Sequence, residues 1–311
     1  MSFVSRRLLQ LIPVAVGVTI VAFFMIHLIP GDPAQTILGI HATPQKIALL
    51  NQQWGLDRPL ISQYWLFLDR LLHGNLGQSL IYGGPVSSLI WQRISPTLWL
   101  IVYAAVIAII ISVPLAMIAA TRKDAVRDQL VRAVPLLGLG MPPFWVGFLL
   151  IYGFGIKLRI FPVSGYGFGF TGHLHSMFLP SLTVAIALSP VVIRSLRASM
   201  LNVLGADFIT TARSKGVPGR RLFLRHVLRN AVIPAITVLG INIGFLIGGT
   251  VVVETVFAIP GIGQLMINSI FQRDFPVVQG VTLVFAVLVV LVNLLADMTY
   301  AALDPRVSFD R

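Results

Sequence analysis

Two groups of side chains in this sequence could carry chemistry: acids and histidines set in or beside apolar runs, and one dense block of bases. Glu254 and Asp297 fall within long apolar stretches, where an ionisable group is a functional candidate by default. Proton relay needs a chain of such groups, and neither acid has one nearby in the sequence. Glu254 therefore reads as a membrane-edge acid, paired with a base such as Arg273 or serving a structural gate. Asp297 reads as an acid at a subunit interface. His27 reads as a packed, hydrogen-bonded residue. His173 and His175 stand two apart beside Gly172, and His41 and His73 add no spacing pattern. Two histidines in one segment are too few ligands, so no metal site is expected. Asp32, between Pro30-Gly31 and Pro33, reads as a turn former.

Nucleophile and phosphate motifs are missing. The sequence has no Gly-x4-Gly-Lys-Ser/Thr, no Gly-x-Ser-x-Gly and no His-Glu-x-x-His, so any use of ATP requires a separate ATPase. It has no cysteine, which excludes thiolate chemistry and disulfides.

The bases are more informative. Residues 194 to 229 hold Arg194, Arg197, Arg213, Lys215, Arg220, Arg221, Arg225 and Arg229 against the single acid Asp207. Charge alone would make this a topogenic loop, since cytosolic loops collect Lys and Arg. The local pattern says more. Asp207 can cap a short helix. Leu201, Leu204, Phe208 and Ala212 recur at helical spacing and share one face. Arg213 and Lys215 then fall in the last turn, where positive charge suits a helix C-terminus. Gly216 can take the left-handed conformation that ends a helix, and Pro218 can open the next one. Helix, Gly turn, helix, with small residues at its centre, is a surface that a partner backbone can approach closely.

The elements around this block belong in lipid. Of 311 residues 56% are hydrophobic and 11% charged, and the mean hydropathy is +0.88. A soluble domain carries far more charge. Six apolar runs, roughly 8–29, 97–120, 133–156, 178–195, 231–253 and 277–300, approach the span of about 20 helical residues that crosses a bilayer. The fold class expected is an all-α polytopic membrane protein, one transmembrane domain over 1–311. The first run is too long for a cleaved signal peptide and reads as a retained span. The fourth is interrupted by Pro180 and Pro190. With the N-terminus inside, 16 of the 23 Lys and Arg fall on the inner side, which places both termini in the cytosol. The net charge of +12 follows from this bias and does not call for nucleic acid.

The outside loop, 31–96, is long enough to carry structure. Within it Leu60 to Leu72 is too short to span and reads as an interfacial or packed helix ending near Gly74. Turns are expected at Gly77, Gly83-Gly84-Pro85 and Ser95-Pro96. Gly240, Gly244, Gly248 and Gly249 in the fifth run suit close helix packing.

These motifs resemble the permease subunits of binding-protein-dependent ABC importers, of the branch that includes dipeptide, oligopeptide and nickel transporters. The carriers are Thr211-Ala212-Arg213-Ser214-Lys215-Gly216 and His226-Val227-Leu228-Arg229-Asn230-Ala231, followed by Pro234. The family's general signature has Glu-Ala-Ala, then Gly, then Ile-x-Leu-Pro. Here only Ala212, Gly216 and Leu228 match it strictly, and the departures look like those of the peptide branch. Further blocks follow in order: Pro30-Gly31-Asp32-Pro33, Gly55-Leu56-Asp57-Arg58-Pro59, Gly74-Asn75-Leu76-Gly77-Gln78-Ser79, Glu254-Thr255-Val256-Phe257, Pro260-Gly261-Ile262-Gly263, the run Arg273 to Gly280, and Asp304-Pro305-Arg306.

The resemblance implies a type I importer permease fold in a bacterial or archaeal inner membrane, without catalysis of its own. It makes 196–230 the cytosolic coupling loop. Leu204, Asp207, Thr210, Thr211, Ala212, Arg213, Lys215 and Gly216 would contact a cytosolic ATPase. Glu254, Phe257, Pro260, Gly261, Gly263, Asp274 and Pro276 would shape an outer gate loop. Partners implied are a second homologous permease, two ATPase subunits or domains that bind ATP and Mg, and an external solute-binding protein. Peptides are the expected substrate, with a nickel chelate, glutathione or another small solute as alternatives. An ion-driven secondary transporter would show a mid-membrane acid cluster and often a repeat between halves. A membrane enzyme would show a paired nucleophile and base. Neither pattern is present.

Overall fold

Where apolar runs are long, the chain forms long helices, and Gly and Pro decide where these stop. The computed structural model describes residues 3–28, 33–39, 42–55, 57–79, 81–121 and 126–303. In chain order come α1 (Phe3–His27), α2 (Pro33–Leu38), α3 (Pro44–Trp54), α4 (Leu60–Leu72), β1 (Gln78–Ser79) and β2 (Gly84–Pro85). Next are α5 (Val86–Thr121), α6 (Val126–Gly140), α7 (Pro143–Leu150), a π-helix (Ile151–Lys157), α8 (Gly169–Ser176) and α9 (Phe178–Leu204). The last are α10 (Asp207–Ser214), α11 (Gly219–Arg221), a second π-helix (Leu222–Leu228), α12 (Arg229–Val256), α13 (Ile262–Phe271) and α14 (Phe275–Leu303). Pro30-Gly31-Asp32, His41, Leu56, Arg122, Lys123 and Asp304-Pro305-Arg306 lie outside the described residues.

Among the described residues four stretches are long and apolar enough to cross a membrane: Val86–Thr121, Phe178–Leu204, Gly219–Gly244 and Phe275–Thr299. The shortest, at 25 residues, is about 37 Å as α-helix against a hydrocarbon core of about 30 Å. Several sequence expectations shift. The run 133–156 is not one helix: α6 ends at Gly140 and α7 begins at Pro143, with Pro142 extended at φ −58 and ψ 138. Consecutive prolines remove two N–H donors and push the preceding residue out of helical geometry. The fourth run is longer and less interrupted than expected, because Pro180 falls in the first turn of α9, where its missing N–H costs nothing. Pro190 sits inside a helix of 27 residues that continues unbroken. The turn expected at Ser95-Pro96 is instead helical, within the 36 residues of α5.

By packing, the chain forms two compact units: residues 1–97 with 260–288, and residues 98–259 with 289–309. In the first, α4 has the expected bounds and is a packed helix, with Trp65 exposed and Gln63 buried. It packs on α1 through rings: Phe23 lies 5.4 Å from Tyr64 and 5.9 Å from Phe67 between centroids. The Thr19 hydroxyl pairs with that of Tyr64 at 2.9 Å, and His27 Nε2 with Gln63 Oε1 at 2.8 Å. The β1–β2 hairpin, antiparallel with Ser79 opposite Gly84, is a small exception to an all-α expectation.

In the second unit α9 is the central helix, packed against α12, α6 and α7. Gly240 and Gly244 of α12 let α14 approach: a Cβ at Gly240 would collide with that of Ala296, and one at Gly244 would lie 3.5 Å from Val289. This is the close packing that the glycine spacing predicts. Gly248 has open space around it.

Candidate functional site

The loop between α9 and α12 is built around one anchor. Ile209 of α10 has no exposure and inserts among Leu196, Met200, Leu222, Val227 and Ala231. This apolar peg holds a short, otherwise polar helix in place. Leu201, Leu204 and Ala212 pack around the same cluster, but Phe208 is 48% exposed. The expected shared face fails at Phe208 because α9 stops at Leu204 and Gly205-Ala206 reset the helical phase. Asp207 is not the cap either. Ala206 occupies that position without a side-chain hydrogen bond, and Asp207 is the first helical residue, where its charge suits the positive helix end.

The far end of α10 matches the sequence closely. Lys215 is the last half-helical residue and Gly216 adopts φ +75. The Gly216 N–H donates to Arg213 O at 2.9 Å, and the Val217 N–H donates to Ala212 O at 3.2 Å. These two bonds form a Schellman stop, with Val217 and Ala212 both on the Ile209 cluster. Asp207, Thr210, Thr211, Arg213, Lys215 and Gly216 remain exposed, while Leu204 and Ala212 are half-buried. Pro218 then stands before α11 at φ −57 and ψ 138, one place earlier than expected. The second signature block, His226 to Ala231, straddles the π-helix Leu222–Leu228 and α12, and buries Val227 and Ala231 beside Ile209. The two blocks thus share one core.

A second group of marked residues, Glu254 to Pro276, flanks α13 in the sequence. Glu254 is fully buried in the last turn of α12, and Phe257 is 1% exposed in a core with Leu100, Met177 and Ile259. The Phe257 carbonyl accepts from the Gly165 N–H at 2.9 Å. The helix ends in another Schellman stop: the Ile259 N–H donates to Glu254 O at 2.8 Å, and Ala258 takes φ +48.

Within the first unit, Gly261 and Gly263 are buried and Pro260 is exposed. The Thr97 hydroxyl accepts from the Ile262 N–H at 3.0 Å and so serves a free donor at the start of α13. α13 ends the same way, with Arg273 at φ +57 and the Asp274 N–H donating to Ser269 O at 2.8 Å. Ala258 and Arg273 hold a conformation that costs a non-glycine residue about 1–2 kcal/mol. Such strain clusters at functional segments.

Asp274 caps α14. Its carboxylate accepts from the Ser79 hydroxyl in a short hydrogen bond and from the Val277 and Ile81 N–H groups. Pro276, buried in the first turn of α14, needs no N–H partner there. Burial pushes the Asp274 carboxyl above its ordinary value, while these hydrogen bonds pull the other way. Ser79 Oγ also accepts from the Tyr82 N–H at 2.9 Å, so one carboxylate ties the hairpin to α14. Five residues beyond Asp274, Gln279 donates to Ala22 O at 2.8 Å. Gly280 leaves room for Val86, whose Cγ1 would stand 2.6 Å from an added Cβ. The blocks Gly74–Ser79 and Arg273–Gly280, far apart in sequence, meet here. No exposed loop is formed by the second block: Asp274 is 3% and Gln279 7% exposed.

Comparison with known proteins decides the family. Residues 112–309 match the model of the binding-protein-dependent transport system inner membrane component, and residues 1–80 match the N-terminal model of such membrane components. The chain belongs to this permease family. The glutathione transport system permease protein GsiC of Escherichia coli O6:H1 is 40% identical over 309 residues, 99% of each chain. The GsiC protein of Salmonella typhimurium is 39% identical over the same length and shares. Among solved structures, the inward-facing MetNI methionine ABC transporter aligns with TM-score 0.59 and 15% identity over 70% of this chain and 96% of that one. An amino acid ABC transporter crystallised with histidines gives TM-score 0.52 and 16% identity over 70% of this chain and 94% of that one. At these identities the two structures speak for the fold alone. This permease is thus a non-catalytic, multi-pass inner-membrane subunit of a binding-protein-dependent ABC importer, and ATP hydrolysis belongs to a separate subunit.

Sequence reasoning overlooked some of the permease's structural residues. Arg197 donates from Nε and Nη2 to both Asp128 oxygens at 2.7 and 2.6 Å. This fork joins α6 to α9, with the Asp128 side chain fully buried and that of Arg197 15% exposed. From the sequence alone Arg197 reads only as inner-side charge. The clue was Asp128 itself, an acid between Arg127 and Arg132. The two histidines of α8 go to carbonyls: His173 Nδ1 to Tyr166 O at 3.0 Å, and His175 Nε2 to Ile160 O at 2.8 Å.

Proposed function

We propose that this permease forms half of the translocation pathway of an ATP-driven importer for small peptides, with glutathione, itself a tripeptide, as the first substrate to test. The observation that carries this reading is the full-length 40% identity to a glutathione permease. It joins the peptide-branch form of Thr211 to Gly216 and His226 to Ala231. Di- and oligopeptides and nickel chelates are the alternatives, since much of the selectivity rests with the binding protein.

The reading includes one transmembrane domain over 1–311, with six spans and both termini in the cytosol. The loop 196–230 is the cytosolic coupling loop. Leu204, Asp207, Thr210, Thr211, Ala212, Arg213, Lys215 and Gly216 meet the ATPase, held by the Ile209 peg. A second homologous permease completes the path. Two ATPase subunits or domains bind ATP and Mg, and an extracytoplasmic binding protein delivers substrate. Glu254, Phe257, Pro260, Gly261, Gly263, Asp274 and Pro276 shape the outer gate, where strained helix ends at Ala258 and Arg273 support a segment with two arrangements. Nucleotide and binding protein shift the population between inward- and outward-facing states by binding each differently.

The test is reconstitution with the cognate binding protein and ATPases. Glutathione should stimulate ATP hydrolysis more than dipeptides or nickel chelates do; stimulation by a dipeptide alone would reassign the substrate. A cysteine replacing Gly219 should be labelled only from the cytosolic side, and labelling from outside would overturn the topology.

A further inference from the structure

A groove of about 710 Å³ opens beside the α10–α11 turn. That volume lies within the range of small-molecule sites. Its floor is apolar: Met117 and Ala120 from the end of α5, Leu204 from the end of α9, and Leu222 and Phe223 from the π-helix. Arg213 and Arg220, both exposed, stand at its rim. None of the described residues that line it is acidic. Arg221 and Arg225 add exposed positive charge on the same short stretch.

The position of the groove narrows what fills it. It lies where Val86–Thr121 ends and Gly219–Gly244 begins, and both are long and apolar enough to cross a membrane. The ends of two spans lie at the level where headgroups meet water. We infer that the groove binds an anionic phospholipid, its phosphate held between Arg213 and Arg220 and an acyl chain lying on the apolar floor. Guanidinium groups favour phosphate oxygens through paired, charge-assisted hydrogen bonds. Clustered bases at a membrane surface select anionic lipid. An acidic loop of a partner protein would satisfy the arginines, but it would leave a floor at the edge of the lipid to be covered by something else. The inference rests on membrane insertion and is independent of the substrate; Leu204 and Arg213 are shared with the proposed ATPase surface, whereas the tested positions Arg220 and Leu224 are not.

The test uses the whole transporter, purified in mild detergent from bilayers of phosphatidylcholine and phosphatidylglycerol. Retained lipid is counted by native mass spectrometry, with ATPase association measured in parallel. Wild type should retain phosphatidylglycerol in preference to phosphatidylcholine, and soluble glycerol phosphate should not displace it. Arg220→Gln should reduce that retention about tenfold, as expected for one charge-assisted contact. Leu224→Glu, at a groove position already 44% exposed, should reduce it by repelling the phosphate. Equal retention of both lipids, or retention unchanged by both variants, overturns the inference. Loss of ATPase association with lipid retention intact would mark the groove as a protein docking surface instead.

Discussion

Replacing Gly216 with alanine, asparagine and leucine separates two effects that the coupling loop combines. At φ +75 an L side chain costs about 1–2 kcal/mol, less for asparagine. A Cβ there meets no heavy atom within 4 Å, so no clash adds to the backbone term. Alanine and leucine therefore share one folding cost, small against the ~5–15 kcal/mol of a typical domain, and all three variants should insert normally. They differ in what they offer a partner. If an ATPase backbone approaches Gly216 closely, leucine overpacks that contact by about 1–3 kcal/mol beyond alanine, roughly a 5- to 150-fold weaker association. Co-purification of the ATPase with each tagged permease, alongside transport, reads the difference. Equal association for Gly216→Leu and Gly216→Ala would leave only strain and refute close docking at this residue.

Three further outcomes follow from the packing. Arg197→Ala leaves the Asp128 carboxylate buried without its fork and should cost about 3–5 kcal/mol, whereas Asp128→Leu with Arg197→Met should recover much of the loss; thermal unfolding in detergent compares them. Asp274 is more easily protonated in the folded protein than its ordinary value of 3.8, so its share of stability is complete below that pH and is lost as pH rises through the folded value. The stability of wild type relative to the non-titrating Asp274→Asn should therefore grow as pH falls from 7 toward 4, and a pH-independent difference would contradict the burial argument. Gly240→Ala should destabilise by about 1–3 kcal/mol through overpacking, and Ala296→Gly should rescue it if α12 and α14 meet there as described.

Local signals in the sequence anticipated the local structure. Gly216 ends α10 because only a left-handed residue closes that stop, and this could be read from Lys215-Gly216-Val217-Pro218 alone. The bounds of α4 followed from one amphipathic stretch between Pro59 and Gly74. Long-range structure was hidden. Nothing in the periodicity pairs Asp274 with Ser79 or Asp128 with Arg197, because each bond joins residues 195 or 69 apart. Helical spacing extended across Gly205-Ala206 points to Phe208 and not to Ile209, because the chain breaks phase there. The third run is not the one continuous helix expected but breaks at Pro142-Pro143, since apolar content reports lipid compatibility and says little about whether backbone donors are present to continue a helix.

The central claim is that the Asp207–Ser214 helix meets the ATPase. With no cysteine in the native sequence, Thr211→Cys places a single thiol on its exposed face, and Thr255→Cys places one on an exposed position near the opposite end of α12. A short thiol-to-amine cross-linker applied to the assembled transporter should join the ATPase subunit to the permease through residue 211 and not through residue 255. An ATPase adduct absent at 211, or formed equally at 255, would contradict the account.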